Sequence, residues 1–252
     1  MIIGFTSTTF RHLPAEEICE LGAAAHADWI EWSDLHVPSP GIAADIAGRC
    51  DALGIAGRSL GSYYRVGTQD GAHWENLCET ASALGAGLIR VWLGERGSAR
   101  TGEGEYEKLL EDAGGMIQTA ANYGLTVAAE AHPNTYNDSL PTSLRFLRDI
   151  DSPIFCTYFQ SLYLDMTADL ERLEQTYPYV RAAHVSFSEV RRNQRFRKKE
   201  DGCVERIVHA LREKDFGGPV LLEFCERGSA EAFACDMARL REIGNWGLGG
   251  LL

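Results

Sequence analysis

Short apolar runs recur along the chain at residues 2–5, 29–32, 55–60, 88–92, 125–130, 154–158, 182–185 and 220–224. Each has the length of a strand, and they follow one another at roughly thirty-residue intervals, enough for a strand, a crossover helix and two loops. The stretches between them carry helix punctuation. Pro14, Glu16 and Glu17 open the first with proline and acids in its first turn, and Gly22 after Ile18 and Leu21 reads as its stop. Asp138 or Ser139 is placed to cap the fifth, whose Leu144, Phe146 and Leu147 form an apolar face. Thr167 precedes Leu170 and Leu173 in the sixth, and Ser229 precedes Phe233, Met237 and Leu240 in the eighth. Gly54, Gly85, Gly124 and the pair Gly217 and Gly218 stand just before apolar runs, where tight helix-to-strand turns are needed.

Strands alternating with helices predict a parallel sheet covered by helices, in either a closed barrel or an open doubly wound layer. The open form is the weaker fit, because no G-x-G-x-x-G or G-x-x-x-x-G-K-[ST] motif follows any run to cradle a nucleotide phosphate. Eight repeats in 252 residues match the size of a (β/α)8 TIM barrel. No linker rich in proline, serine or charge divides the chain, so residues 1–252 are expected to form a single α/β domain.

Composition narrows the partners. A formal net charge of −12 is the opposite of what a nucleic-acid-binding body needs, and no apolar stretch approaches a membrane span. Met1 leads straight into a short apolar run and Gly4 without a basic segment and long apolar core, so a cytoplasmic location is expected. The seven cysteines are dispersed with no C-x-x-C pair and read as reduced thiols.

In a barrel of this kind the reacting groups sit where strands end, because the interior is filled with side chains. Four late runs each bring a polar group to that rim: Glu130 in Ala128-Ala129-Glu130-Ala131-His132, Gln160 after Tyr158 and Phe159, His184 in Ala183-His184-Val185, and Glu223 after Leu222. A carboxylate ending an apolar strand must be paired, hydrogen-bonded or bound to a metal. Ion pairing of Glu130 and Glu223 with Arg90, and a satisfied core role for His184, form the structural alternative.

Together with Ile3-Gly4-Phe5, Trp29-Ile30-Glu31, Ile89-Arg90-Val91-Trp92 and Leu222-Glu223, these motifs resemble, in order and spacing over nearly the whole chain, the sugar phosphate isomerase/epimerase superfamily of xylose isomerase-like barrels. The resemblance implies one divalent cation (Mn, Mg, Co or Zn) held by Glu130, Gln160, His184 and Glu223, with the two glutamates doubling as acid and base. Gln160 stands where the superfamily has Asp, which implies weaker metal binding, since a neutral amide oxygen replaces an anion. Tyr163 and Val190, the latter next to Arg191, stand where epimerases often carry a histidine and an arginine. The implied reaction is isomerisation or epimerisation of a ketose, sugar phosphate or hydroxy-keto compound through an enediolate.

Around that centre His132, Arg90 and Trp92 are candidates for substrate contacts, with Trp32, His36, Tyr63 and Tyr64 as a far wall. His26, His73 and His209 read as surface residues. Six basic residues in 191–199 read as a solvated loop or as a lid in which Arg191 or Arg192 neutralises a substrate phosphate or carboxylate. The superfamily implies a homodimer, to which the apolar tail 246–252 contributes unless it folds back on its own barrel. Three alternatives share the fold: a DNA-repair nuclease, disfavoured by the acidic chain and few histidines; a sugar-binding barrel with a degenerate metal site; and a lyase of the inosose or dehydroshikimate dehydratase type.

Overall fold

A computed structural model describes residues 1–161, 165–187 and 202–245. Eight parallel strands close into a barrel in chain order: Ile2–Thr6 (β1), Trp29–Ser33 (β2), Gly57–Val66 (β3), Leu88–Leu93 (β4), Thr126–Glu130 (β5), Phe155–Gln160 (β6), Val180–Val185 (β7) and Pro219–Leu222 (β8). β1 pairs with both β2 and β8, so no strand edge is left open. Helices Ala15–Ala24 (α1), Pro40–Ala52 (α2), Gly71–Ala83 (α3), Glu103–Asn122 (α4), Leu140–Ile150 (α5), Met166–Thr176 (α6), Cys203–Glu213 (α7) and Ala230–Asn245 (α8) alternate with them. None of the described helices is long and apolar enough to cross a membrane.

Side chains alternate across each strand, and the alternation separates two apolar layers. Phe5, Ile30, Ile89, Val127, Phe155, Val185 and Leu222 face outward and join the helix residues Ile18, Ile46, Leu77, Ile207 and Phe233 in one core. Leu88, Ala128, Cys156, Tyr158, Ala182 and Leu221, packed against Trp29, form a smaller cluster inside the barrel. Gly57 makes room for Trp29, because a Cβ there would lie 2.2 Å from its indole ring. One step further along the inward positions of β2, β4, β5, β7 and β8 come Glu31, Arg90, Glu130, His184 and Glu223, so the same alternation sets a charged layer on an apolar floor.

Several expectations are adjusted. β3 begins at Gly57 rather than residue 55 and runs on to Val66, with an irregular register against β4 between Gly61 and Arg65. β8 ends at Leu222, and Phe224 beyond it adopts a φ of +60°. Gly22 does not stop α1 but lies within it, where a Cβ would sit 3.0 Å from the Phe5 ring and hold the helix off the barrel. The cap of α6 is Asp165, whose carboxylate accepts from the Thr167 backbone, rather than Thr167. Ser139 occupies the cap position of α5 without a side-chain cap, while Asp138 accepts instead from Ser98. Ser229 does cap α8, through its hydroxyl to Ala232. Gly54, Gly85 and Gly124 turn with positive φ as the spacing suggested, whereas Gly217 and Gly218 do not.

Candidate active site

Four donor atoms from the ends of β5 to β8 converge on one point. His184 directs Nδ1 toward Gln160 Oε1 at 3.3 Å, Glu130 Oε1 at 3.5 Å and Glu223 Oε2 at 3.9 Å. Gln160 Nε2 donates to Glu223 Oε2 at 3.1 Å, which leaves its carbonyl oxygen turned to the imidazole. Glu130, His184 and Glu223 each offer a ligand atom within 4.8 Å of the others. Two carboxylate oxygens, an amide oxygen and an imidazole nitrogen form a set that suits a borderline or hard divalent cation such as Mn, Co, Zn or Mg. Glu130, Gln160, His184 and Glu223 are therefore the residues that would hold one.

The two glutamates are held differently. Glu130 Oε2 accepts from the Arg90 guanidinium and, at 2.5 Å, from Trp92 Nε1. Burial opposes its ionisation, but the Arg90 and His184 charges outweigh burial and hold its carboxyl well below the usual range. No arginine pairs with Glu223 among the described residues, and there burial wins, pushing its carboxyl up to about 7 against the pull of His184. Burial likewise disfavours the His184 imidazolium, but Glu31, Glu223 and Glu130 around it bring its pKa up to about 10.

Arg90 is 4% exposed and lies inside the barrel between two carboxylates, with Nε 3.2 Å from Glu31 Oε1. Its guanidinium is thus placed in the charged layer rather than in reach of substrate hydroxyls. The ion pairing foreseen as an alternative is met by Glu130 and not by Glu223, and for Glu130 it coexists with the convergence on His184 because each engages a different oxygen.

Trp92 stacks on His132 with ring centroids 4.9 Å apart and planes at 24°, and Tyr63 meets it edge-on at 5.4 Å. This places His132, Trp92 and Tyr63 in one wall beside Glu130. Arg11 donates to the Tyr63 hydroxyl at 2.8 Å and continues the wall toward β1. Thr9, Arg11, His12, Arg227 and Phe224, the residue after Glu223, border a cleft of about 360 Å³ open to solvent. His36 is bound instead through Nδ1 to the Ser7 hydroxyl at 2.9 Å, and burial lowers its pKa.

Trp32 and Tyr64 do not belong to the wall. Trp32 is fully buried in the outer core, and Tyr64 packs on Trp74 of α3 at 5.2 Å, since each faces the helices on the side opposite its neighbours Glu31 and Tyr63. His26 and His73 are exposed and His209 is half-buried. Tyr163, Val190, Arg191 and Arg192, with the rest of 191–199 and the tail 246–252, lie outside the described residues.

Glu31 was not among the site residues expected from sequence. It is 2% exposed, and its Oε1 lies 3.3 Å from His184 Nε2 as well as beside Arg90 Nε. Burial opposes its ionisation, but the His184 and Arg90 charges hold its carboxyl below the usual range. The signal was present in β2: an acid at an inward position between Trp29 and Trp32, with Arg90 at an inward position of β4, two opposite charges that apolar strands can bury only together.

Comparison with known proteins places this geometry in context. A family model described as xylose isomerase-like TIM barrel matches residues 19–243. A 3-dehydroshikimate dehydratase of Bacillus anthracis is 27% identical over 112 residues, a stretch that spans 44% of this chain and 40% of that protein. Among solved structures, the probable 3-DHS dehydratase AsbF of Bacillus anthracis superposes with a TM-score of 0.80 at 17% identity, covering 96% of this chain and 99% of that one. D-psicose 3-epimerase from Clostridium cellulolyticum H10 superposes with a TM-score of 0.76 at 14% identity, covering 98% and 100% of the two chains.

Proposed function

The chain belongs to the xylose isomerase-like TIM barrel family, and on that premise we propose that it is a metal-dependent enzyme moving a carbon-bound proton on a ketose or related hydroxy-keto compound. The observation that carries this reading is the pair of rim glutamates in opposed environments, both facing the one imidazole nitrogen. A bound divalent cation would supply Lewis acidity to the carbonyl and adjacent hydroxyl oxygens of the substrate, favouring an enediolate. Glu130, pinned by Arg90 and Trp92, stays ionised and orients. Glu223, which no arginine pins among the described residues, is suited to take a proton and to return one at the same or the neighbouring carbon, with Glu130 on the other side of a flat intermediate as its partner. The wall of His132, Trp92 and Tyr63 gives the sugar an apolar face and polar edges, and the cleft lined by Thr9, Arg11 and Arg227 accepts its distal end.

A second reading is favoured by the likeness to the Bacillus anthracis dehydratase. Loss of water from a cyclic hydroxy-keto acid begins with the same proton abstraction, and Arg11 and Arg227 at the rim supply charge for a carboxylate. Solvent deuterium incorporation from a panel of ketoses, inososes and keto acids separates the two. The manganese-supplemented protein is expected to place a solvent deuteron on a carbon of one of them if it is an isomerase, and to release water from one of them without returning a proton to the carbon that lost it if it is a lyase. Glu223→Gln is expected to abolish labelling while its circular dichroism stays wild-type; labelling at near wild-type rate in that variant would reject Glu223 as the proton carrier.

A further inference from the structure

We propose that Glu31 is a positioning residue for His184: it holds the proton on Nε2 and so presents Nδ1 to the cation site formed with Glu130, Gln160 and Glu223. The inference rests on the cation-binding reading above and adds a residue from the opposite side of the barrel. Its basis is geometric. The imidazole of His184 has two nitrogens, one facing the donor cluster and the other, Nε2, facing Glu31 Oε1 at 3.3 Å. A ligating histidine whose second nitrogen faces a carboxylate is biased toward one tautomer and ring orientation, and becomes a more basic ligand.

Glu31 is itself held in place. Its Oε1 is shared with Arg90 Nε at 3.2 Å, and Arg90 reaches on to Glu130, so one guanidinium ties the positioning carboxylate to a ligand carboxylate. Gly61 of β3 leaves the space that the carboxylate fills, since a Cβ there would lie 2.7 Å from Glu31 Oε1. Glu31 Oε2, His184 Nε2, Arg90 Nε and the Tyr158 hydroxyl are buried with no aligned hydrogen-bond partner among the described residues. Tyr158 also packs edge-on against the His184 ring at 5.1 Å. A fully buried acid with polar atoms left unmatched is a poor device for stability alone, because buried ion pairs seldom outperform apolar packing. It makes sense as a support that turns the imidazole.

The test compares wild type, Glu31→Gln and Glu31→Ala as purified proteins of residues 1–252, with Mn2+ as the probe in calorimetric titrations and circular dichroism as the check on folding. Glu31→Gln keeps an accepting oxygen and loses the charge, and is expected to bind Mn2+ about ten- to a hundredfold more weakly than wild type. Glu31→Ala is expected to be weaker still. Equal Mn2+ affinity, within twofold, in a folded Glu31→Gln protein overturns the inference. In wild type loaded with Zn2+, long-range nitrogen–proton NMR of His184 is expected to show a protonated Nε2 and a metal-bearing Nδ1. The reverse tautomer overturns the inference whether or not the variants fold. Wild type that binds neither cation removes the cation-binding reading and this inference together, whereas wild type that binds while the variants are unaffected removes only this inference.

Discussion

Adding a divalent cation to the metal-free protein should expel protons, and the number follows from the site. His184, with a pKa near 10 among three glutamates, carries both ring protons at neutral pH, and one of them must leave Nδ1 before a cation can bind there. Glu223, tuned to about 7, is half protonated at pH 7. Cation uptake at pH 7 should therefore release about 1.5 protons, one from His184 and half of one from Glu223, falling to about one at pH 8.5. Displacing the imidazole proton three pH units below its pKa costs about 4 kcal/mol, so Mn2+ affinity should climb roughly tenfold per pH unit between 7 and 9. The sign is the same for both groups, since each has a raised pKa and must deprotonate, so alkali favours binding. The same shifts make the metal-free fold lose the contribution of His184 as pH rises through 10, and that of Glu223 as pH rises from 4.5 to 7. Calorimetric titration in buffers of different ionisation enthalpy counts the protons directly. Binding that releases none, with affinity flat from pH 7 to 9, would refute the reasoning.

Two further outcomes are expected. Gln160→Asp restores a negative ligand beside Glu223, so it should tighten Mn2+ binding by tenfold or more while lowering the melting temperature of the metal-free protein, because two carboxylates then face each other; a variant with unchanged cation affinity would place residue 160 outside the donor set. Gly61→Ala drives a methyl group into the Glu31 carboxylate and should destabilise the fold by about 1–3 kcal/mol in urea denaturation; an unchanged midpoint would mean that Glu31 has room to move.

The barrel was legible because its strands are buried on both faces and so appear as apolar runs, and because the helices between them start and stop with recognisable residues. The polar rim was legible for the same reason: Glu130, His184 and Glu223 interrupt or end runs that are otherwise apolar. What failed was assigning faces. Trp32 and Tyr64 were grouped with the site although each has the parity opposite to a neighbour that faces inward, and parity applied consistently would have exchanged Trp32 for Glu31. The extension of β3 through Ser62, Tyr63, Tyr64 and Arg65 was hidden because a strand that rises past the barrel rim alternates between the polar site and the helices, and it loses the continuous apolar signature there. Gly22 misled because a helix glycine can serve close packing as well as termination, and only the position of Phe5 distinguishes the two. Arg90 was read as a substrate contact because the inward acid of β2, Glu31, was not matched with the inward guanidinium of β4.

Crystals grown with Mn2+ and measured at the manganese absorption edge address the cation site most directly. One anomalous peak is expected, bonded to Glu130 Oε1, Gln160 Oε1, His184 Nδ1 and Glu223 Oε2. Occupied manganese elsewhere in the barrel, or none at those four atoms with the cation in excess at pH 8.5, would contradict that expectation.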